Sequence, residues 1–327
     1  VHVTRLSADL DDLRVVDLPD PRPARGEVLI DVRLAPVNPA DLLMAQGTYV
    51  VRREPPFVPG ATGVGTVVAD GGGALGRLLR GRRVVFGVPA GRDGSWAQRV
   101  ATPAALCVPV LGRLADEDAM NLLANATTVV GLLDELERGR HRGVAVTAAG
   151  GELARLLARG AVRRGLAVLP VVRTERHAAA VEQRPPVLPP LVSDRPDFAE
   201  RLRRACAEHG VTAAVDAVAG PLTATLLDAL PPRSTVWVVG RLSGRDTQLD
   251  VFAAVVGRQQ VLRGFNVEAW LGARSAPGRL AAVRRARALV DGGHPARVAH
   301  RLTLDEAPAA LARAVATTSA GKTVLVP

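Results

Sequence analysis

The hydrophobic pattern of this chain changes period near residue 116, and that change limits the folds open to it. Beyond it, short strand-like runs alternate with helical spans. Val144-Ala145-Val146-Thr147 passes through Ala148-Ala149-Gly150-Gly151 into a helical span over residues 153–164. The next strand is Ala167-Val168-Leu169-Pro170-Val171-Val172-Arg173, and further strands are expected over 213–218, 235–240 and 261–265. Such alternation predicts an α/β unit with a parallel, doubly wound sheet. Asp116-Glu117-Asp118 opens a helical stretch, because acids suit a helix N-terminus. Arg184-Pro185-Pro186-Val187-Leu188-Pro189-Pro190 cannot be helical and reads as an irregular connection. A basic amphipathic helix over 279–290, another over 305–316 and a last strand over 323–326 follow.

The first third reads differently. Glu27-Val28-Leu29-Ile30-Asp31-Val32-Arg33-Leu34 alternates in part, and strands are expected again over 63–68 and 83–87. Gly/Pro-rich breakers such as Pro55-Pro56-Phe57-Val58-Pro59-Gly60 lie between them. Closely spaced strands with such punctuation predict a barrel-like β unit. The 327 residues suffice for two domains with buried cores.

The net charge of +10 could suggest a nucleic-acid or membrane partner. Arg supplies nearly all of it, Lys322 being the only lysine, and no basic run or aromatic-basic interleaving occurs. No nucleic acid is expected as a partner, although anionic ligands would be tolerated. Apolar runs fall short of the ~20 residues that cross a bilayer, and Val1–Arg5 does not lead into an apolar stretch, so no membrane partner and a cytoplasmic address are expected. Cys107 and Cys206 are far apart and belong to no C-x-x-C pair, which excludes a cysteine zinc site and favours small buried side chains.

A dinucleotide fold needs a tight strand-to-helix turn of small residues, so that backbone N–H groups reach a pyrophosphate. Ala148-Ala149-Gly150-Gly151-Glu152-Leu153-Ala154 occupies that place, yet it departs from a strict G-x-G-x-x-G and sets a carboxylate near the expected phosphates. Ala148, Gly150, Gly151 and Leu153 are the cofactor-binding candidates there. At the end of the next strand an acid would select NAD, whereas Arg accommodates the 2′-phosphate of NADP. Arg173 stands there with Arg176 following, which favours NADPH; a solvated surface arginine is the alternative.

Together these motifs resemble the zinc-independent branch of the medium-chain dehydrogenase/reductase superfamily, with quinone oxidoreductases and 2-enoyl thioester reductases. The resemblance runs in order along nearly the whole chain. Its first part is Ala35-Pro36-Val37-Asn38-Pro39-Ala40-Asp41 through Gly47-Thr48-Tyr49, then Gly63-Val64-Gly65-Thr66 and Gly94-Ser95-Trp96-Ala97. Asn125-Ala126-Thr127-Thr128, Asp216-Ala217-Val218-Ala219-Gly220, Leu262-Arg263-Gly264-Phe265 and Gly321-Lys322-Thr323 complete it. It implies a GroES-like β-barrel substrate domain over 1–118 and 266–327 and a Rossmann NADPH-binding domain over 119–265, with a homodimer joined through sheet edges. Zinc-dependent relatives carry Cys after the Asn and His-Glu after the later Gly; Pro39 and Ala61-Thr62 stand here and cannot ligate the metal.

The resemblance implies reduction of an activated C=C bond, with a 2-enoyl thioester of CoA or a carrier protein as substrate. A quinone or enone acceptor, or NADPH binding without catalysis, are the alternatives. Tyr49, the only tyrosine, falls at the proton donor's place; otherwise it is an aromatic plug after the Gly47 turn. Asn38 would sit by the nicotinamide ribose or substrate carbonyl, or simply form the turn before Pro39. Thr128 would approach the nicotinamide, and Gly240, Phe265 and Lys322 would contact the cofactor. Phe265 and Trp270 would line the acyl pocket. Against these stand a plain helix position, core packing and a solvated lysine. Ala126 in place of Pro, Arg241 after Gly240, and Glu152 depart from the pattern.

Overall fold

The computed structural model describes residues 1–10, 12–179, 181, 187–291, 295–314 and 321–327. The chain forms two compact units, Val1–Ala124 with Val290–Pro327, and Asn125–Leu289.

The first unit is built on a seven-stranded mixed sheet. Its centre is Glu27–Pro36, which pairs antiparallel with Thr62–Asp70, Arg99–Pro103 and Lys322–Leu325. Val28, Ile30, Val32 and Leu34 are buried while Arg33 is exposed, the period-two pattern of a strand with one face on a core. The pairing with Thr62–Asp70 shifts register between Leu29 and Ile30 and again between Val32 and Leu34. Such bulges bend a strand, which suits one that serves three neighbours. Gly65 lies where the two strands pass closely: a Cβ there would fall 2.4 Å from Asp31 O. Arg83–Gly87 and Cys107–Pro109 extend the sheet on one side, and Val298–Leu302 lies parallel to Lys322–Leu325 on the other. Phe57, Phe86 and Trp96 are fully buried in this core.

The second unit holds a six-stranded sheet, parallel throughout. Its strands in chain order are Gly143–Val146, Ala167–Val172, Leu191–Val192, Val211–Asp216, Thr235–Val238 and Val261–Gly264. Numbered so, the sheet runs 3-2-1-4-5-6, the doubly wound order whose direction reverses between strands one and four. All four residues of Gly143–Val146 are buried, as expected of a strand covered on both faces. Helices Thr127–Arg138, Glu152–Val162, Phe198–Glu208 and Pro221–Ala229 belong to the same unit.

The boundary lies later than the 265/266 expected from sequence. Helix Ala276–Val290 packs with the second unit for all but its last residue. Arg285 bonds both carboxylate oxygens of Asp134, and Leu289 sits over Gly160. The helix opened by Asp116 spans only Asp116–Ala119. A π-turn, Leu122–Ala126, then leads into Thr127–Arg138, and Ala126 carries helical backbone without a break. Asp116 accepts from Arg33 and Arg83 at 2.8 and 3.0 Å, so that acid serves as an ion-pair anchor. Arg184, Pro185 and Pro186 lie outside the described residues, as does the end of the expected 305–316 helix, described as Ala307–Ala314.

Candidate functional site

In the second unit, Thr147 follows strand Gly143–Val146, and the chain turns through Ala148–Gly151 into helix Glu152–Val162. The turn is closed by Gly151 N–H on Ala148 O at 2.9 Å, and Ala149 N–H bonds Val171 O at 3.2 Å. Ala148 holds φ +49°, a left-handed conformation that costs a residue with a Cβ about 1–2 kcal/mol. Gly151 is the helix N-cap, where a Cβ would come 3.2 Å from Ala148 O. The first-turn N–H groups of a helix have no intrahelical acceptor and face whatever lies beyond the cap.

The loops around this turn are held by Asp216, fully buried at the end of strand Val211–Asp216. Its Oδ1 accepts from Thr147 Oγ1 at 2.8 Å, Val218 N at 2.9 Å and Ala219 N at 3.2 Å, and its Oδ2 from Thr223 Oγ1 at 2.7 Å. Thr147 Oγ1 in turn accepts from Ala217 N at 2.9 Å. Gly240 follows strand Thr235–Val238, and a Cβ there would lie 2.8 Å from Ala217 O. The carboxyl ends of strands one, four and five thus form one hydrogen-bonded rim at the switch point, where open α/β sheets take ligands. Thr147 and Asp216 were not among the sequence-derived site residues; the buried polar strand ends were the available signal.

Arg173 follows the last residue of strand Ala167–Val172 and is exposed, as is Arg176 in the short helix Glu175–Ala178. Among the described residues neither enters an ion pair, whereas the neighbouring Glu175 is held by Arg195 at 3.1 Å. Glu152, the first residue of its helix, is bonded twice by Arg155, Nε to Oε2 at 3.1 Å and Nη2 to Oε1 at 2.7 Å. Leu153 is half-buried on the same turn, and Thr128 is buried in the first turn of Thr127–Arg138. Phe265 and Trp270 both pack on that helix: a Cβ at Gly131 would come within 2.3 Å of Phe265 Cζ and 2.9 Å of Trp270 Cε2. Arg274 stacks over the Trp270 ring at 3.4 Å.

In the first unit, Asn38 caps helix Pro39–Ala45 with extended backbone. Asp41, buried three residues on, accepts Asn38 N–H at 2.9 Å on Oδ2 and Ala61 N–H at 2.8 Å on Oδ1. Asn38 Nδ2 donates to Thr62 Oγ1 at 3.4 Å, and Thr62 O accepts from Ser95 Oγ at 2.6 Å. The Asn38 and Ala61-Thr62 segments are therefore tied by a carboxylate. Burial pushes the Asp41 carboxyl above its ordinary range, against the two backbone N–H groups, the Asn38 side chain and the charge of Lys322. Asp41 was not among the sequence-derived site residues; a capping acid three residues after Asn was the sign that could have marked it.

The helix ends in a Schellman motif. Thr48 N–H reaches Leu43 O at 2.9 Å, Gly47 N–H reaches Met44 O at 3.0 Å, and Gly47 takes φ +73°. Tyr49 comes directly after and packs half-buried against the core of its unit. Arg53 fastens the following loop, lying over the Phe57 ring at 4.4 Å and pairing with Asp93 at 3.3 Å. Among the described residues no group of three or more His, Cys, Asp or Glu could hold a metal ion.

A parallel sheet in doubly wound order, joined in one chain to a mixed-sheet unit with an Asn38–Tyr49 helix motif, defines a two-unit nucleotide-fold protein. Residues 24–112 match the alcohol dehydrogenase GroES-like domain. Prostaglandin reductase-3 of Bos taurus is 30% identical over 254 residues, 75% of this chain and 64% of that protein. Mitochondrial enoyl-[acyl-carrier-protein] reductase of Xenopus tropicalis is 27% identical over 294 residues, 86% of this chain and 81% of that protein. A mycobacterial protein solved in complex with NADPH superposes with a TM-score of 0.82 at 27% identity, over 100% of this chain and 99% of that one. The quinone oxidoreductase of Thermus thermophilus, also solved with NADPH, gives 0.73 at 25% identity over 96% of each chain. Along its length the chain is thus similar to oxidoreductases of the medium-chain dehydrogenase/reductase type. It spans slightly under two thirds of the bovine and mouse prostaglandin reductase-3 proteins it matches, 64% and 63% of their lengths.

Proposed function

We propose that this protein is an NADPH-dependent reductase of activated C=C bonds acting on a 2-enoyl thioester, in the cytoplasm, with Tyr49 as proton donor. The observation that carries the reading is the bare-backbone turn at the switch point, with Arg173 at the end of the next strand. The residues present fit a dinucleotide. At Gly151 and Gly240 a Cβ would press on neighbouring carbonyls, so the backbone is kept open there. Arg173 and Arg176 offer cations to a 2′-phosphate. The two NADPH-bound relatives and the enoyl reductase similarity support the same assignment. On this reading residues 1–118 and 266–327 serve the substrate and 119–265 the cofactor, with the helix 276–289 moved to the latter by its packing.

Bound NADPH supplies a hydride. A thioester reduced in this way would gather charge on its carbonyl oxygen, which donors of this chain would have to stabilise. Asn38, whose backbone is pinned by Asp41, offers a donor to that oxygen or to the nicotinamide ribose. Tyr49, with a phenol pKa of ~10, keeps its proton at neutral pH and gives it to the α-carbon. In the second unit Thr128 and Phe265 would line the nicotinamide, and Trp270 the acyl chain. Lys322 would reach a cofactor phosphate as well as acting on Asp41. A quinone or enone acceptor is the second reading, favoured by the Thermus likeness.

The edge strand Val261–Gly264 is exposed along its length, and Val251, Phe252 and Val256 before it are exposed as well. An open apolar edge of this kind invites pairing with another copy, which supports a homodimer. Sedimentation at micromolar concentration tests it: a monomer would contradict it.

NADPH oxidation should be followed with short 2-enoyl thioesters, free enones and quinones. Turnover of thioesters, with Tyr49→Phe lowering kcat by about 10²-fold or more, is the expected result. Turnover of quinones alone, unaffected by Tyr49→Phe, would replace it by the second reading.

A further inference from the structure

We propose that Glu152 and Arg155 form a charge-compensating pair that sets the affinity of the Ala148–Gly151 turn for a pyrophosphate; this rests on reading that turn as the NADPH site. Glu152 is the first residue after the N-cap Gly151, and Arg155 lies one turn on. The guanidinium grips the carboxylate at 3.1 and 2.7 Å in a bidentate pair. Their side chains are only 11% and 13% exposed, so water and salt screen the pair less than an open surface pair.

A carboxylate at this position suits the bare helix, because the first-turn N–H groups carry partial positive charge. A pyrophosphate draws on the same field. Glutamate and pyrophosphate at one helix end would repel each other, and the repulsion grows as water is excluded. Arg155 cancels the carboxylate where it stands. The turn then meets the phosphates with little net side-chain charge and with the helix field intact.

The two members of such a pair have opposite effects, which a purely packing role would not produce. Without Glu152, the Arg155 cation is no longer offset by that carboxylate beside the phosphates, and binding tightens. Without Arg155, the carboxylate loses the guanidinium that offsets it, and binding weakens. Without both, the balance returns.

The test is the NADPH dissociation constant of the full chain by titration calorimetry, with the thermal midpoint of each apo protein as control. Wild type, Glu152→Gln, Arg155→Gln and the double variant are compared at about 0.05 and 0.5 M salt. Arg155→Gln should weaken binding about ten-fold and Glu152→Gln tighten it about three-fold, with the double variant within about three-fold of wild type. The loss in Arg155→Gln should shrink at the higher salt. Arg155→Lys, which keeps the charge, should bind within about three-fold of wild type, and with Glu152→Gln it decides the matter if Arg155→Gln does not fold. Weaker binding by Glu152→Gln, unchanged binding by Arg155→Gln, or a double variant as weak as Arg155→Gln would overturn the pair while leaving the NADPH site standing. Wild-type protein that binds no NADPH would overturn the site reading, and the pair with it.

Discussion

Thr147 Oγ1 donates to Asp216 Oδ1 at 2.8 Å, and this bond latches the first and fourth strands of the parallel sheet where the strand order reverses. The carboxylate that accepts it takes three more donors, so the loops rimming the proposed nucleotide site share one buried anchor.

Removing that anchor is expected to be costly. Asp216→Ala strands two hydroxyls and two backbone N–H groups in the interior and should destabilise the protein by about 3 kcal/mol or more. Thr147→Val takes one of the four donors from Asp216 and the acceptor from Ala217 N–H, and should cost about 2 kcal/mol, less than Asp216→Ala. Urea denaturation of both variants checks the order. A Thr147→Val loss as large as that of Asp216→Ala would contradict the anchor.

Ala148→Gly should stabilise the apo protein. Alanine at φ +49° is strained and glycine is not, although glycine also loses more chain entropy on folding. A net gain of about 0.5–1 kcal/mol, read as a rise in Tm, is the expected outcome. A fall would show that the left-handed turn is not the conformation held in solution.

Asp41 gives stability a pH signature. Burial raises its folded-state pKa above the unfolded value. Between those two values the folded chain binds the proton that the unfolded chain has released, so this group's contribution falls as pH rises through the window. It is fully favourable only below the unfolded pKa of ~3.9. Asp41→Asn removes the titration, so the variant's stability should decline less steeply with pH above ~4 than the wild type's, whatever its absolute offset. Parallel denaturation curves at successive pH values make the comparison. Identical slopes would show that Asp41 does not titrate differently in the folded and unfolded chain.

Both thiols should be silent in the native state. Burial pushes Cys107 and Cys206 each up to about 12, so almost no thiolate exists at neutral pH. A thiol reagent should label neither in buffer and both in denaturant. Rapid native labelling of either would contradict the packing of that residue's core.

The parallel sheet was legible because buried strands and amphipathic helices differ in period, and that contrast survives in Gly143–Val146, Glu152–Val162 and Ala167–Val172. Other features depend on contacts distant in sequence. Leu191–Val192 is too short to carry a pattern, and it becomes a strand only by lying beside Val171 and Val172. Helix Ala276–Val290 joins the second unit because Leu289 finds Gly160, a neighbour its own residues cannot announce. Asp41 and Asp216 are ordinary acids in sequence, and their roles come from the donors that folding brings to them. Glu152 is a plain acid in sequence, and only the helix sets Arg155 against its carboxylate one turn on.

On the function proposed above, the switch-point turn binds a nicotinamide dinucleotide carrying a 2′-phosphate. Its most direct test is calorimetric titration of the wild-type and Arg173→Ala proteins with NADPH and NADH. Saturable NADPH binding at least about ten-fold tighter than NADH is expected, with Arg173→Ala losing most of that preference. Binding of neither nucleotide, or of both equally, would contradict it.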